Sequence, residues 1–116
     1  MPDDRRLAFL DGLLSGAAAQ QALAPGIKVY ALHAGKRPGL GLQVAREALQ
    51  NGQLQRALQR RFEQALLFDG CFIYLDAQGA MVIWHAMPAS RGTLDSILGR
   101  MLSLAGLDSL NTGCSR

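Results

Sequence analysis

Apolar residues recur along this chain with two periods, and the switches between them predict its elements. Over residues 3–23, Leu7, Leu10, Leu14, Ala17, Ala18 and Gln21 fall on one stripe at helical spacing. Pro2 is tolerated at a helix start, and Asp3 and Asp4 suit the positive end of its dipole. Phe9 lies well off that stripe. Ala24-Pro25-Gly26 reads as the stop. Residues 27–34 alternate and carry β-branched Ile27 and Val29, which predicts a strand. Residues 35–39 form a turn. Leu40, Leu42 and Val44 then recur at period two within residues 40–46, a second strand that pairs back on the first. From about Gln53 to Phe68 the helical period returns. Leu54, Leu58, Phe62, Ala65 and Leu66 make the apolar side, with Arg56, Arg60, Glu63 and Leu67 opposite.

Asp69-Gly70 breaks that helix and opens the densest stretch of the chain. Residues 71–75 and 80–87 read as two strands around Asp76-Ala77-Gln78-Gly79, whose Asp first and Gly last suit a type I turn. Thr93 is a plausible N-cap for a last helix, in which Leu94, Ile97, Leu98, Met101, Leu102 and Ala105 face inward and Gly106 is the stop. The order is helix, strand pair, helix, strand pair, helix. Strand pairs joined by short turns are antiparallel, so the expected class is α+β: about four antiparallel strands with three helices in the order α-β-β-α-β-β-α. With 116 residues the chain holds one compact domain, expected over residues 1–110, with a disordered tail at 111–116.

Composition narrows the function classes. No apolar run approaches the roughly 18 uncharged residues that span a bilayer. The start has arginines before an apolar stretch, but Asp3, Asp4, Asp11 and Gln20-Gln21 spoil a signal-peptide reading. Cys71 and Cys114 share no close spacing, which suits a reduced, cytoplasmic protein. The net charge of +3 is concentrated in residues 28–61, where Lys28, Lys36, Arg37, Arg46, Arg56, Arg60 and Arg61 stand against Glu47 alone. No basic-aromatic stacking pattern accompanies them in sequence, which argues for solvated charge or an acidic partner over nucleic acid.

Candidate chemistry is sparse. The segment from His33 to Gly41 has a phosphate-loop look, but Tyr30 and Arg37 stand where such a loop needs Gly and Ser or Thr. Cys71 and His85 invite a nucleophile-base reading. Pairing across the Asp76–Gly79 turn opposes Leu75 to Ala80, Ile73 to Val82 and Cys71 to Trp84, which sends Cys71 and His85 to opposite faces. A small buried cysteine packing as a hydrophobe is the commoner outcome. Met81, His85 and Met87 share a face, yet Met81 and His85 lie roughly 13 Å apart along a strand, too far for one ion without a bend. No carboxylate pair stands out. No catalysis, cofactor or metal is expected.

On that register one hairpin face carries Cys71, Ile73, Leu75, Ala80, Val82 and Trp84, and the other Phe72, Tyr74, Met81, Ile83, His85 and Met87. Both are apolar, whereas a sheet with one wet face alternates apolar with polar. Either a helix wraps round to cover the second face or another chain does.

Residues 54–88 and 94–108, a helix, an Asp-turn-Gly hairpin and a leucine-rich last helix, resemble the small class I chaperones of bacterial type III secretion and, more narrowly, the HrpV-type regulators of plant-pathogen type III secretion. Roadblock-type domains show a similar helix and hairpin. The resemblance implies a non-enzymatic protein that binds a protein partner: an activator, a secretion component or an effector. HrpV-type regulators restrain an AAA+ enhancer-binding activator, and class I chaperones hold an effector segment and dimerise. A sequence pI of about 9.3 departs from the acidic chaperones. The isolated protein is expected as a homodimer or heteromer. The expected partner interface is Phe72, Tyr74, Met81 and Ile83 on the outer hairpin face, then Phe9, Leu67 and the Arg56–Arg60 face, apolar area beside cations. A basic nucleic-acid module and a roadblock-like interaction domain are the alternatives.

Overall fold

The structure, a computed structural model, describes residues 4–16 and 20–110. Its elements are α1 (Asp4–Ser15), β1 (Gln20–Ala24), β2 (Ile27–Ala31), β3 (Gly39–Val44), α2 (Gln53–Glu63), β4 (Phe72–Leu75), β5 (Met81–Ala86) and α3 (Arg91–Leu104), with short 3₁₀ turns at Arg46–Ala48 and Asp108–Leu110. The strands form one antiparallel sheet in the order β1-β2-β3-β5-β4. The class is α+β, as expected, with five strands where four were expected.

The extra strand is β1. The helix expected over residues 3–23 ends at Ser15, and Gln20–Ala24 pairs with β2 instead. Pro25 and Gly26, the latter at φ 78°, are the centre of a tight turn of the type II pattern, so the Pro-Gly pair joins two strands. The Ala17–Ala18 part of the expected helix stripe and the expected tail at 111–116 lie outside the described residues.

Alternation assigns the two faces of the sheet. Val29, Leu40, Leu42, Val44, Met81 and Ile83 point to the inner face and are fully buried. Leu10 and Leu13 of α1 and Leu94, Ile97, Leu98, Met101 and Leu102 of α3 close over them in one cluster. All six residues expected to face inward on the last helix do so. Its N-cap is Ser90, three positions before Thr93, whose N–H donates to the Ser90 hydroxyl at 3.2 Å. It stops in a Schellman motif: the Leu107 N–H reaches Leu102 O at 2.8 Å and the Gly106 N–H reaches Ser103 O at 3.0 Å, with Gly106 at φ 77°.

Helix α1 sits rotated from its expected stripe. Arg6, Phe9, Leu10 and Leu13 are its buried line, because Arg6 is drawn in by Asp95 on α3, with Nε 2.8 Å from the carboxylate. Phe9 is therefore core, at 7% exposure, and not a surface anchor.

The β4–β5 hairpin is one residue out of the expected register. The Gly79 N–H closes a type I turn on Asp76 O at 3.0 Å, and Gly79 itself then turns left-handed at φ 84°. That residue is a bulge in the loop, so Leu75 opposes Met81, Ile73 opposes Ile83 and Phe72 opposes Trp84. A one-residue slip exchanges faces. Met81 and Ile83, expected beside Phe72 and Tyr74, belong to the buried inner face with 0% exposure, while Val82 and Trp84 join Phe72 and Tyr74 on the outer one.

Candidate protein-docking surfaces

Two surfaces stand out, and the first is built by an inverted helix. Helix α2 has a strong apolar stripe, yet its buried residues are Gln53 and Ala57. The reason is polar. The last carbonyls of a helix have no partner within it, and α2 supplies donors to α3. Arg60 donates to Leu104 O at 2.8 Å and to Ser103 O at 3.3 Å, and Gln53 donates to Ala105 O at 2.8 Å. On the same helix Arg61 donates through Nε to Cys71 O at 2.9 Å. These contacts turn the polar side inward. Leu54 still packs against the core, but Leu58 and Phe62 face water at 46% and 84% exposure. The helix expected to run to Phe68 ends at Glu63, and Leu66 and Leu67, 94% and 52% exposed, lie in the turn that follows it. Leu67 also borders a groove of about 400 Å³ beside Ser96, Gly99 and Arg100 of α3.

Leu58, Phe62 and Leu66 were expected to lie against the core, and the structure places them outside. Their periodicity was legible; its direction was not, because an arginine that caps a neighbouring helix looks in sequence like a solvated one. Arg60, expected as a free steering cation, is committed to α3. Arg56 is exposed and donates to Asn51 O at 3.1 Å.

The second surface is the outer face of the sheet. The central strand β3 presents Gly39 and Gly41 there. A side chain at Gly39 would overlap the Trp84 indole, and a Cβ at Gly41 would lie 3.0 Å from the Tyr30 ring. Aromatic rings from the neighbouring strands thus lie across a glycine trough. Trp84 donates through its indole N–H to Leu32 O at 2.7 Å and carries the Arg37 guanidinium 5.6 Å above its ring. Phe72 stands 6.1 Å from the Trp84 ring centre, and Phe72 and Tyr74 are 55% and 44% exposed. Between these rings and the 32–37 loop lies an open groove of about 390 Å³.

The hairpin tip beside it is held by Asp76, whose Oδ1 accepts from the N–H groups of Gln78 and Ala80 at 2.9 and 3.0 Å and whose Oδ2 accepts from Gln43 at 3.0 Å. The Ala80 N–H, with the Gln43 side chain and the other turn amides, holds this carboxyl below the usual aspartate range.

The register also returns Cys71 to the face of His85, against the sequence expectation. The pair is still ill suited to nucleophilic chemistry. Cys71 is 1% exposed, and burial pushes its thiol up against the lowering pull of Arg100 and Arg61. His85 Nδ1 lies 2.8 Å from Ala86 O, and its Nε2 packs on Gly70, where a Cβ would come within 2.7 Å. Among the described residues no group of three or more His, Cys, Asp or Glu is placed to hold a metal, and no helix is long and apolar enough to cross a membrane.

A family model described as HrpV-like matches residues 3–110, which takes in every element of the fold. The chain belongs to the HrpV-like family. The regulator side of the sequence resemblance thus has a family match behind it, and the chaperone side has none. No curated protein and no solved structure gives a significant match to this HrpV-like chain.

Proposed function

We propose that this chain is a non-enzymatic, cytoplasmic regulator of a bacterial type III secretion system that acts by binding a protein: a transcriptional activator or a secretion partner. Membership of the HrpV-like family supports the regulatory half. The observation that carries the binding half is the water-facing side of α2 and of the turn that follows it. Phe62 and Leu66 are 84% and 94% exposed although the fold has a well-filled core elsewhere. Burying such a side chain contributes roughly 1.5–3 kcal/mol, and neighbouring exposed apolar residues on a helix and the turn after it mark an interaction site. A partner helix or groove that covers Leu58, Phe62, Leu66 and Leu67 recovers that energy. In the partner's absence a second copy covers the same stripe, so the isolated protein is a homodimer.

Affinity capture from the native host, under conditions that express the secretion genes, tests this. The wild-type chain should enrich a type III secretion activator or component. Leu58→Asp with Phe62→Asp, at positions exposed to water, should fold normally and lose it. Capture of no such protein, or equal capture by the variant, contradicts the reading.

A further inference from the structure

The groove on the outer sheet face is chemically unlike the α2 stripe, and its charge is one-sided. Its walls are the 32–34 segment with Arg37 on one side and Phe72 and Tyr74 on the other, with Trp84 as the floor. Arg37 is held over Trp84, and among the described residues no carboxylate or carbonyl accepts from its guanidinium. Lys36 is exposed in the same loop, and Lys28 lies 5.2 Å over the Tyr30 ring on the same face. The acid at the edge of this face, Asp76, already accepts from Gln43 and two turn amides. Asp76 remains an anion at the Tyr74 edge, and Lys28 donates to the Gln20 side chain at 3.2 Å. Arg37 is the cation that lines the groove itself, with no carboxylate among the described residues bonded to it, beside two half-exposed rings.

From this geometry we infer that the groove docks an acidic protein segment, which sets a carboxylate on Arg37 and an apolar side chain against Phe72 and Tyr74. A guanidinium positioned over a ring keeps its N–H fork for a carboxylate and loses little freedom on binding. Nucleic acid fits less well. A stacking platform offers open ring faces, and here the largest ring is 5% exposed beneath Arg37. This surface is separate from α2 and does not depend on the α2 stripe being used.

The probes are a short peptide alternating glutamate with phenylalanine, its lysine counterpart and oligo(dT). Binding is read from Trp84 fluorescence, the chain's one tryptophan, and from amide shifts at residues 32–37 and 72–74. The acidic peptide should bind, more weakly as salt rises, and Arg37→Glu should weaken it roughly tenfold or more. Arg37→Gln, which keeps hydrogen bonding without charge, should weaken it too while its melting curve stays native, so a folding failure of the glutamate variant cannot decide the matter. Leu58→Asp with Phe62→Asp should bind the peptide as wild type does, which separates a failure here from a failure at α2. No shift at about millimolar peptide, equal binding by the lysine peptide or by Arg37→Gln, or tighter binding of oligo(dT) overturns the inference.

Discussion

Gly39→Ala should disrupt the outer face through a single methyl group. Gly39 has an ordinary strand backbone, not a left-handed one, so the backbone accepts alanine and the cost is steric. The new Cβ occupies the space of the Trp84 indole. The ring must swing out, which strains or breaks its bond to Leu32 O and removes the support under Arg37. Overpacking costs about 1–3 kcal/mol, the weakened hydrogen bond about 1 kcal/mol, and alanine returns about 0.5–1 kcal/mol of backbone entropy. The net is roughly 2 kcal/mol of destabilisation, or a Tm about 8 °C lower for a chain of this size. A thermal melt followed by circular dichroism gives the stability, and the tryptophan emission should shift to the red as the indole meets water. Gly92→Ala is the control, since nothing lies within 4 Å of its built Cβ; it should match or exceed wild type. An unchanged Tm and emission in Gly39→Ala would refute the packing of Trp84 on β3.

Asp76→Ala should destabilise the protein at neutral pH. The carboxyl's pKa is depressed in the fold, so its contribution is present above the unfolded value of 3.8 and is lost as pH falls through the folded value. The variant and wild-type melting curves should therefore converge in acid, and a gap that stays constant with pH would count against the turn network. In a Cys114→Ser background, Cys71 should react with a thiol reagent only as the protein unfolds, because its thiol is buried and its pKa raised; fast labelling of the native state would contradict that placement.

The second half of the chain was more legible than the first. On α3 every apolar residue at helical spacing points inward, and Gly106 ends the helix where a left-handed residue is needed. The hairpin was readable as two strands, but one left-handed glycine at the end of the turn decides whether Gly79 counts as turn or bulge, and with it which face Met81 and Ile83 take. In residues 20–24 small and amide side chains beside one leucine fit helix and strand alike, so pairing with β2 decided what local propensity did not. The candidate site was half legible. Phe72, Tyr74 and Leu67 are exposed as expected, whereas Phe9, Met81 and Ile83 are core. Beyond Leu54, which packs against the core, the α2 stripe was read with the wrong sign, because Gln53 and Arg60 are spent on the carbonyls of another helix, a long-range contact with no local signature. One signal was available in sequence: the alternate glycines Gly39 and Gly41 on a central strand call for rings from its neighbours.

The central claim is that the water-facing side of α2 is where a protein docks. Photo-crosslinking tests it most directly, with benzoylphenylalanine placed at Phe62 in one version and at exposed Gln78, on the hairpin tip, in another. Both are expressed in the native host while the secretion genes are on. Position 62 should crosslink to a type III secretion activator or component, and position 78 should not. No adduct at position 62, or the same adduct from both positions, would contradict the account.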